Sequence, residues 1–129
     1  MISARLFAGA ALLLMAAAPV PPGALSSVTL TNATTTPLFC QAIAGHWYGF
    51  DLGVFAAHTQ REMALHFDRE SGMISLRNTR QQPIPVQYVW CGPVGDAWAH
   101  RAVLPMRQAL EQQRAITCHQ ENTLTCRLN

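Results

Sequence analysis

The side chains of this 129-residue chain with the most chemistry to offer are four cysteines, Cys40, Cys91, Cys118 and Cys126. A thiol can pair with another, bind a metal or act as a nucleophile, and spacing separates these uses. Structural zinc sites hold cysteines in pairs about two to four residues apart. No two cysteines here lie that close, and no metal is expected. An even number in a chain bound for an oxidising compartment favours disulfides. Three connectivities are open. The stretch Ala115-Ile116-Thr117-Cys118-His119-Gln120-Glu121-Asn122-Thr123-Leu124-Thr125-Cys126 reads as a hairpin turning about Asn122, which sets Cys118 opposite Cys126 on one face. Directly opposed Cβ atoms in a sheet sit about 4.5–5.5 Å apart, slightly farther than a disulfide needs. Cys118 with Cys126 is therefore the preferred pair. Cys40 and Cys91 would remain, closing a loop of about 50 residues, and such a bridge stabilises by roughly 3–4 kcal/mol on loop-entropy grounds.

Trp90-Cys91-Gly92-Pro93 resembles the active-site motif of thioredoxin-like oxidoreductases. An apolar strand precedes it and a helix is expected after it, as in that family. The resemblance implies a thiol-redox role for Cys91. The family closes the motif with a second cysteine; here Val94 stands in that place. Exchange chemistry then lacks its resolving thiol. Only about 35 residues follow, too few for the family's remaining elements, and no βαβ unit precedes the motif. A structural disulfide is the preferred reading of Cys91.

Five histidines, His46, His58, His66, His100 and His119, include no pair at the helical or alternate-strand spacing of a local metal site. Seven scattered carboxylates give no reason to prefer any pair as acid and base. There is no nucleophile elbow and no phosphate loop. No catalytic residue and no cofactor are expected. His46-Trp47-Tyr48-Gly49-Phe50 is an aromatic cluster beside a glycine, with Trp98 as a counterpart later in the chain. Such residues can form a flat binding surface for a protein or a glycan. They can equally be core, with the glycine permitting a turn, and core is the preferred reading. Asn32-Ala33-Thr34 matches the acceptor sequence for N-glycosylation.

The elements that must position these residues read as strands. Val28, Leu30 and Asn32 alternate with Thr29 and Thr31, and Pro37 opens the next strand, where its missing N–H costs least. Met63, Leu65 and Phe67 alternate with Ala64 and His66. Residues 68–72 form a turn, and residues 73–78 a further strand. Ile84, Val86, Tyr88 and Trp90 share one face of the strand over residues 83–90. One short helix is expected after Cys91, either capped by Asp96 or opened by Pro105 over residues 106–114.

An internal similarity runs through this pattern. Val28-Thr29-Leu30-Thr31-Asn32 with Pro37-Leu38-Phe39-Cys40-Gln41 corresponds, at a constant offset, to Ile74-Ser75-Leu76-Arg77-Asn78 with Pro83-Ile84-Pro85-Val86-Gln87. A weaker match relates Ala64-Leu65-His66-Phe67 to Ala115-Ile116-Thr117-Cys118. A pair of such units is too few for a solenoid. The expected fold is mainly β: a small disulfide-bonded sandwich or barrel, in which the similarity would mark two pseudo-repeats, with at most one short helix.

The N-terminus has the parts of a secretory signal peptide. Met1 and Arg5 supply positive charge, and residues 6–18, LFAGAALLLMAAA, are uncharged and apolar. As a helix that run rises roughly 20 Å, short of the ~20 apolar residues that span a bilayer. Pro19, Pro21 and Pro22 then end any helix. Ala16-Ala17-Ala18 has the small-x-small cleavage pattern, but Pro19 would follow the cut. Ala24-Leu25-Ser26 is the preferred alternative, giving a signal over 1–26 and a single domain over 27–129. That domain has about 105 residues and buries only about 65% of its unfolded surface. After Ser26 there are eight Arg, no Lys and seven acidic residues, so no basic stripe points to nucleic acid.

These readings converge on an exported, periplasmic or secreted, binding module with a protein or glycan partner and no permanent membrane span once the signal is removed. A thiol-redox protein using Cys91, or a structural subunit of an envelope assembly, are the alternatives.

Overall fold

The computed structural model describes Gly9 and residues 23–129. The apolar run over residues 6–18, apart from Gly9, and the prolines at 19, 21 and 22 lie outside the described residues. The described chain is mainly β, with strands β1 (Ala24–Asn32), β2 (Leu38–Ala44), β3 (Tyr48–Phe55), β4 (Thr59–Phe67), β5 (Ile74–Arg77), β6 (Pro83–Pro93), β7 (Ala102–Val103), β8 (Ile116–Gln120) and β9 (Leu124–Leu128). The helix α1 (Met106–Gln112) stands between β7 and β8. Pro105 takes the N-cap position and Gln113 ends the helix in the left-handed conformation. Of the two starts open from sequence, the one at Pro105 is realised, and residues 95–100 form turns instead.

All nine strands hydrogen-bond in the order β3-β2-β6-β5-β4-β1-β8-β9, with β7 on the side of β6. The path is open at β3 and β9, so it makes no closed barrel. β6 divides it into two layers. Its first residues pair with β5 (Ser75 opposite Pro85), and its later ones pair with β2 (Cys40 opposite Cys91) and β7 (Trp90 opposite Val103). The first layer is therefore β5-β4-β1-β8-β9, and the second is β3-β2-β6-β7. Val28, Leu30, Met63, Leu65 and Phe67 of the first layer bury in one core with Cys40, Ala42, Val89 and Cys91 of the second, and Met106, Ala109 and Leu110 of α1 complete it. The inward sets keep the two-residue period of a pleated strand.

β6 departs from the expected single face. Val86 packs against the core, but so do Val89 and Cys91, which have the opposite parity. The change falls where the register with β2 shifts, Ile43 facing Tyr88 and Ala44 facing Val86. A bulge inserts one residue and exchanges the strand's two faces beyond it. Trp90 consequently lies on the outer side, with Val103 as its cross-strand partner.

Cys40 is bonded to Cys91 and Cys118 to Cys126, each pair directly opposed across neighbouring strands, with Cα atoms 4.1 and 4.0 Å apart. No free cysteine remains. Each layer thus carries one covalent tie, β2 to β6 in the second and β8 to β9 in the first. No helix among the described residues is long and apolar enough to cross a membrane.

The internal similarity has a local meaning and not a topological one. Asn32 Oδ1 accepts from Thr34 N, and Asn32 Nδ2 donates to Thr36 O; Asn78 Oδ1 accepts from Arg80 N, and Asn78 Nδ2 donates to Gln82 Oε1. Both asparagines organise the connection after their strand through the residues two and four ahead. The flanking strands behave differently. β5 and β6 pair with each other, whereas β1 pairs with β4 and β8, and β2 with β3 and β6.

Candidate functional site

β2 sets the geometry of the second layer's outer face. Leu38, Cys40, Ala42 and Ala44 point inward and are buried, so Phe39, Gln41 and Ile43 must point out. Their cross-strand partners share that side. Phe39 faces Val54, Gln41 faces Asp51 and Trp90, and Ile43 faces Gly49 and Tyr88. The outward row is therefore aromatic and aliphatic, interrupted by one polar pair in which Gln41 Nε2 donates to Asp51 Oδ1 at 3.0 Å.

Glycines let other groups close over this face. A Cβ at Gly92 would lie 1.9 Å from the carbonyl oxygen of Ala97, so the loop over residues 94–101 crosses β6 at a position that no side chain could occupy. A Cβ at Gly49 would meet the Gln41 amide at 2.6 Å, because that side chain lies across the glycine. The loop delivers Trp98 onto Trp90, with ring centroids 5.4 Å apart and nearly perpendicular, and Phe39 meets Trp90 edge-on from β2 at 5.8 Å. Arg101 stacks over Trp98 at 3.7 Å and donates from Nη1 to its carbonyl at 2.8 Å. Trp90 is buried beneath these groups, and its indole Nε1 has no hydrogen-bond partner. Trp98 remains 53% exposed.

The sequence-identified aromatic cluster sits at the opposite end of the same layer, at the tip of the β2–β3 hairpin. Trp47 is 90% exposed and Tyr48 70%. His46 is exposed as well, and of the cluster only Phe50 packs against the core. This corrects the preference for a buried cluster: Gly45, with φ +58°, turns the chain beyond the end of the core, and the rings that follow have nothing to pack under. Tyr48 faces Ala44, whereas Trp98 lies beside Trp90 and the loop over Gly92, near the other end of β2. The structure does not bring Trp98 together with the hairpin cluster.

What it does gather is an apolar side of the molecule. Of the eight exposed large hydrophobics among the described residues, Val54, Val103, Trp98 and Val94 lie on or border the outer face of the second layer, Trp47 and Tyr48 stand at the hairpin tip, and Leu25 and Met73 belong to the first layer's side. Sequence reasoning missed Phe39, Val54, Tyr88 and Val103; for Phe39 and Tyr88 the legible signal was apolar residues on both parities of β2 and β6. A cleft of about 390 Å³ lies between the end of the loop over residues 94–101 and the β8–β9 turn, lined by Ala99, His100, Arg101, Gln120, Asn122 and Thr123 among others.

The other sequence candidates resolve simply. Cys91 is fully buried in mid-strand and bonded to Cys40. The helix expected directly behind the thioredoxin-like motif is a run of turns, so Cys91 receives no helix N-terminus. His66 Nδ1 bonds Gly23 O at 2.6 Å, and His100 lies 3.4 Å from Asp96, both highly exposed. Among the described residues no three His, Cys, Asp or Glu side chains gather into a possible metal site. Asn32 is fully buried, and its Nδ2 donates to Thr36 O, Phe55 O and Ala56 O, so the folded domain offers no glycan acceptor there.

Comparison of the chain with known protein families, with curated proteins and with solved structures finds no match.

Proposed function

We propose that this is an exported binding module that holds a protein partner against the outer face and hairpin tip of its second layer. The observation that carries the reading is the exposure of Val54, Val103, Trp98 and Val94 on or beside the outer face of the second layer, with Trp47 and Tyr48 exposed at its hairpin tip. Folding requires apolar residues inside, not outside, and a soluble monomer seldom concentrates them on one face. Aromatic side chains are also the residues that carry most binding energy at protein interfaces. A protein is favoured over a glycan because aliphatic and aromatic groups are mixed here. Arg101 already stacks on the Trp98 ring, and the Gln41 amide is already paired with Asp51. Export to the periplasm or the exterior is supported by two disulfides, by the absence of free cysteine and by the leader-like N-terminus.

The test is quantitative co-purification from the compartment in which the protein resides. The Val54→Arg/Val103→Arg variant, and separately Trp47→Ala/Tyr48→Ala, should each reduce specific partner recovery at least tenfold. Thr29→Arg/Thr117→Arg, on the first layer, should leave it unchanged. Equal recovery with all three variants contradicts the reading. Retention on immobilised oligosaccharide that depends on Trp98, with no protein partner recovered, assigns the face to glycan binding instead.

A further inference from the structure

We propose that leader processing cuts N-terminal to Gly23, between residues 18 and 23, and that the mature protein retains Gly23 and the whole of β1. The proposal rests on the export reading. It places the cut upstream of the small-x-small site Ala24-Leu25-Ser26, which the sequence alone favours, and leaves Ala16-Ala17-Ala18, with Pro19 after the cut, as the small-x-small site in that window.

β1 begins at Ala24, and its antiparallel register with β4 is continuous from Ala24 opposite Phe67 to Asn32 opposite Thr59. A cut after Ser26 would remove the rungs Ala24–Phe67, Leu25–His66 and Ser26–Leu65, three of nine. Leu65 and Phe67 are core residues, and their backbones would lose their partner strand on that side. Gly23 is itself built into the domain. It is buried, and its carbonyl accepts from the Arg77 guanidinium of β5 at 3.4 Å and lies 2.6 Å from His66 Nδ1 on β4. Its φ of +75° is a left-handed conformation, and a Cβ there would lie 2.9 Å from Arg77 Nη2. A residue discarded before folding has no reason to meet these conditions. One that stays to anchor the start of β1 does.

The full chain is produced with its leader in a secreting host, the oxidised protein is recovered from outside the cytosol, and its N-terminus is sequenced. A first residue between positions 19 and 23 is the expected result. A terminus at Ala24 or later, Ser27 included, overturns the inference while leaving export intact. Recovery only from the cytosol with Met1 or Ile2 still at the terminus overturns the export reading beneath it. As a second readout, the domain refolded from residue 27 should melt on the order of 5–10 °C below the same domain begun at residue 19. Equal melting points would also contradict the proposal.

Discussion

The outer faces of the two layers are made by the same alternation and are chemically opposite. On the first layer the outward residues are Leu25, Ser27, Thr29 and Thr31 on β1, Gln60, Glu62, Ala64 and His66 on β4, Thr117 and His119 on β8, and Thr125 and Arg127 on β9, mostly polar with Leu25 the one large exposed hydrophobic. On the second they are Phe39, Ile43, Val54, Tyr88, Val103 and Trp90, the last buried under Trp98, with Gln41 and Asp51 as the one polar pair. Both layers bury an apolar inner face in one core, so folding accounts for neither outer face. The first is what a sheet facing water on one side needs. The second carries apolar surface beyond that need, and it is the side on which binding is proposed.

Disulfide removal gives the largest contrast between the layers. The Cys40–Cys91 bridge spans 51 residues and the Cys118–Cys126 bridge spans 8. On loop-entropy grounds the first contributes about 4 kcal/mol and the second about 2.5 kcal/mol. Chemical denaturation of Cys40→Ala/Cys91→Ala should therefore show the greater loss. A greater loss from Cys118→Ala/Cys126→Ala would mean that the second layer is not held as described.

Asn32 joins the layers, because it stands on β1 and its Nδ2 donates to Phe55 O at the end of β3. Asn32→Ala leaves three carbonyls without this donor and Thr34 without its acceptor. The expected cost is about 2–3 kcal/mol. Asn78→Ala, at the corresponding but more exposed turn, should cost about 0.5 kcal/mol. Similar losses would restore weight to the repeat as an architectural feature.

Gly92→Val sharpens the comparison on the second layer alone. The new side chain must push away the backbone of Ala97, with a cost of about 1–3 kcal/mol. Trp90 should then become accessible, read as stronger acrylamide quenching of tryptophan fluorescence. Gly49→Ala meets only the end of the Gln41 side chain and should cost less. Unchanged quenching in Gly92→Val would show that the loop does not depend on that glycine.

Much of the fold was legible because alternation survives in β1 and β4, and because Pro37 marks the start of β2. The turn at residues 68–72 and the helix after Pro105 were legible from turn chemistry and fixed φ. β6 was misread beyond Val86 because a bulge leaves no mark in a strand that is apolar on both parities. The hairpin aromatics were misjudged for a related reason. Trp47 and Tyr48 are the same residue types whether they close a core or extend past its end, and only the position of that end distinguishes the two. Asn32 matched an acceptor sequence, yet its three carbonyl partners, at residues 36, 55 and 56, come together only in the folded chain.

Site-resolved photo-cross-linking tests the contrast between the two faces most directly. A photoreactive amino acid is placed singly at Val54, Val103 and Trp47 on the second layer, and at Thr29, Thr117 and Arg127 on the first, in the full-length protein produced in its own host. Covalent adducts of one defined mass from the first set and none from the second is the expected pattern. Adducts from both sets alike, or only from the threonine-rich side, would contradict the account.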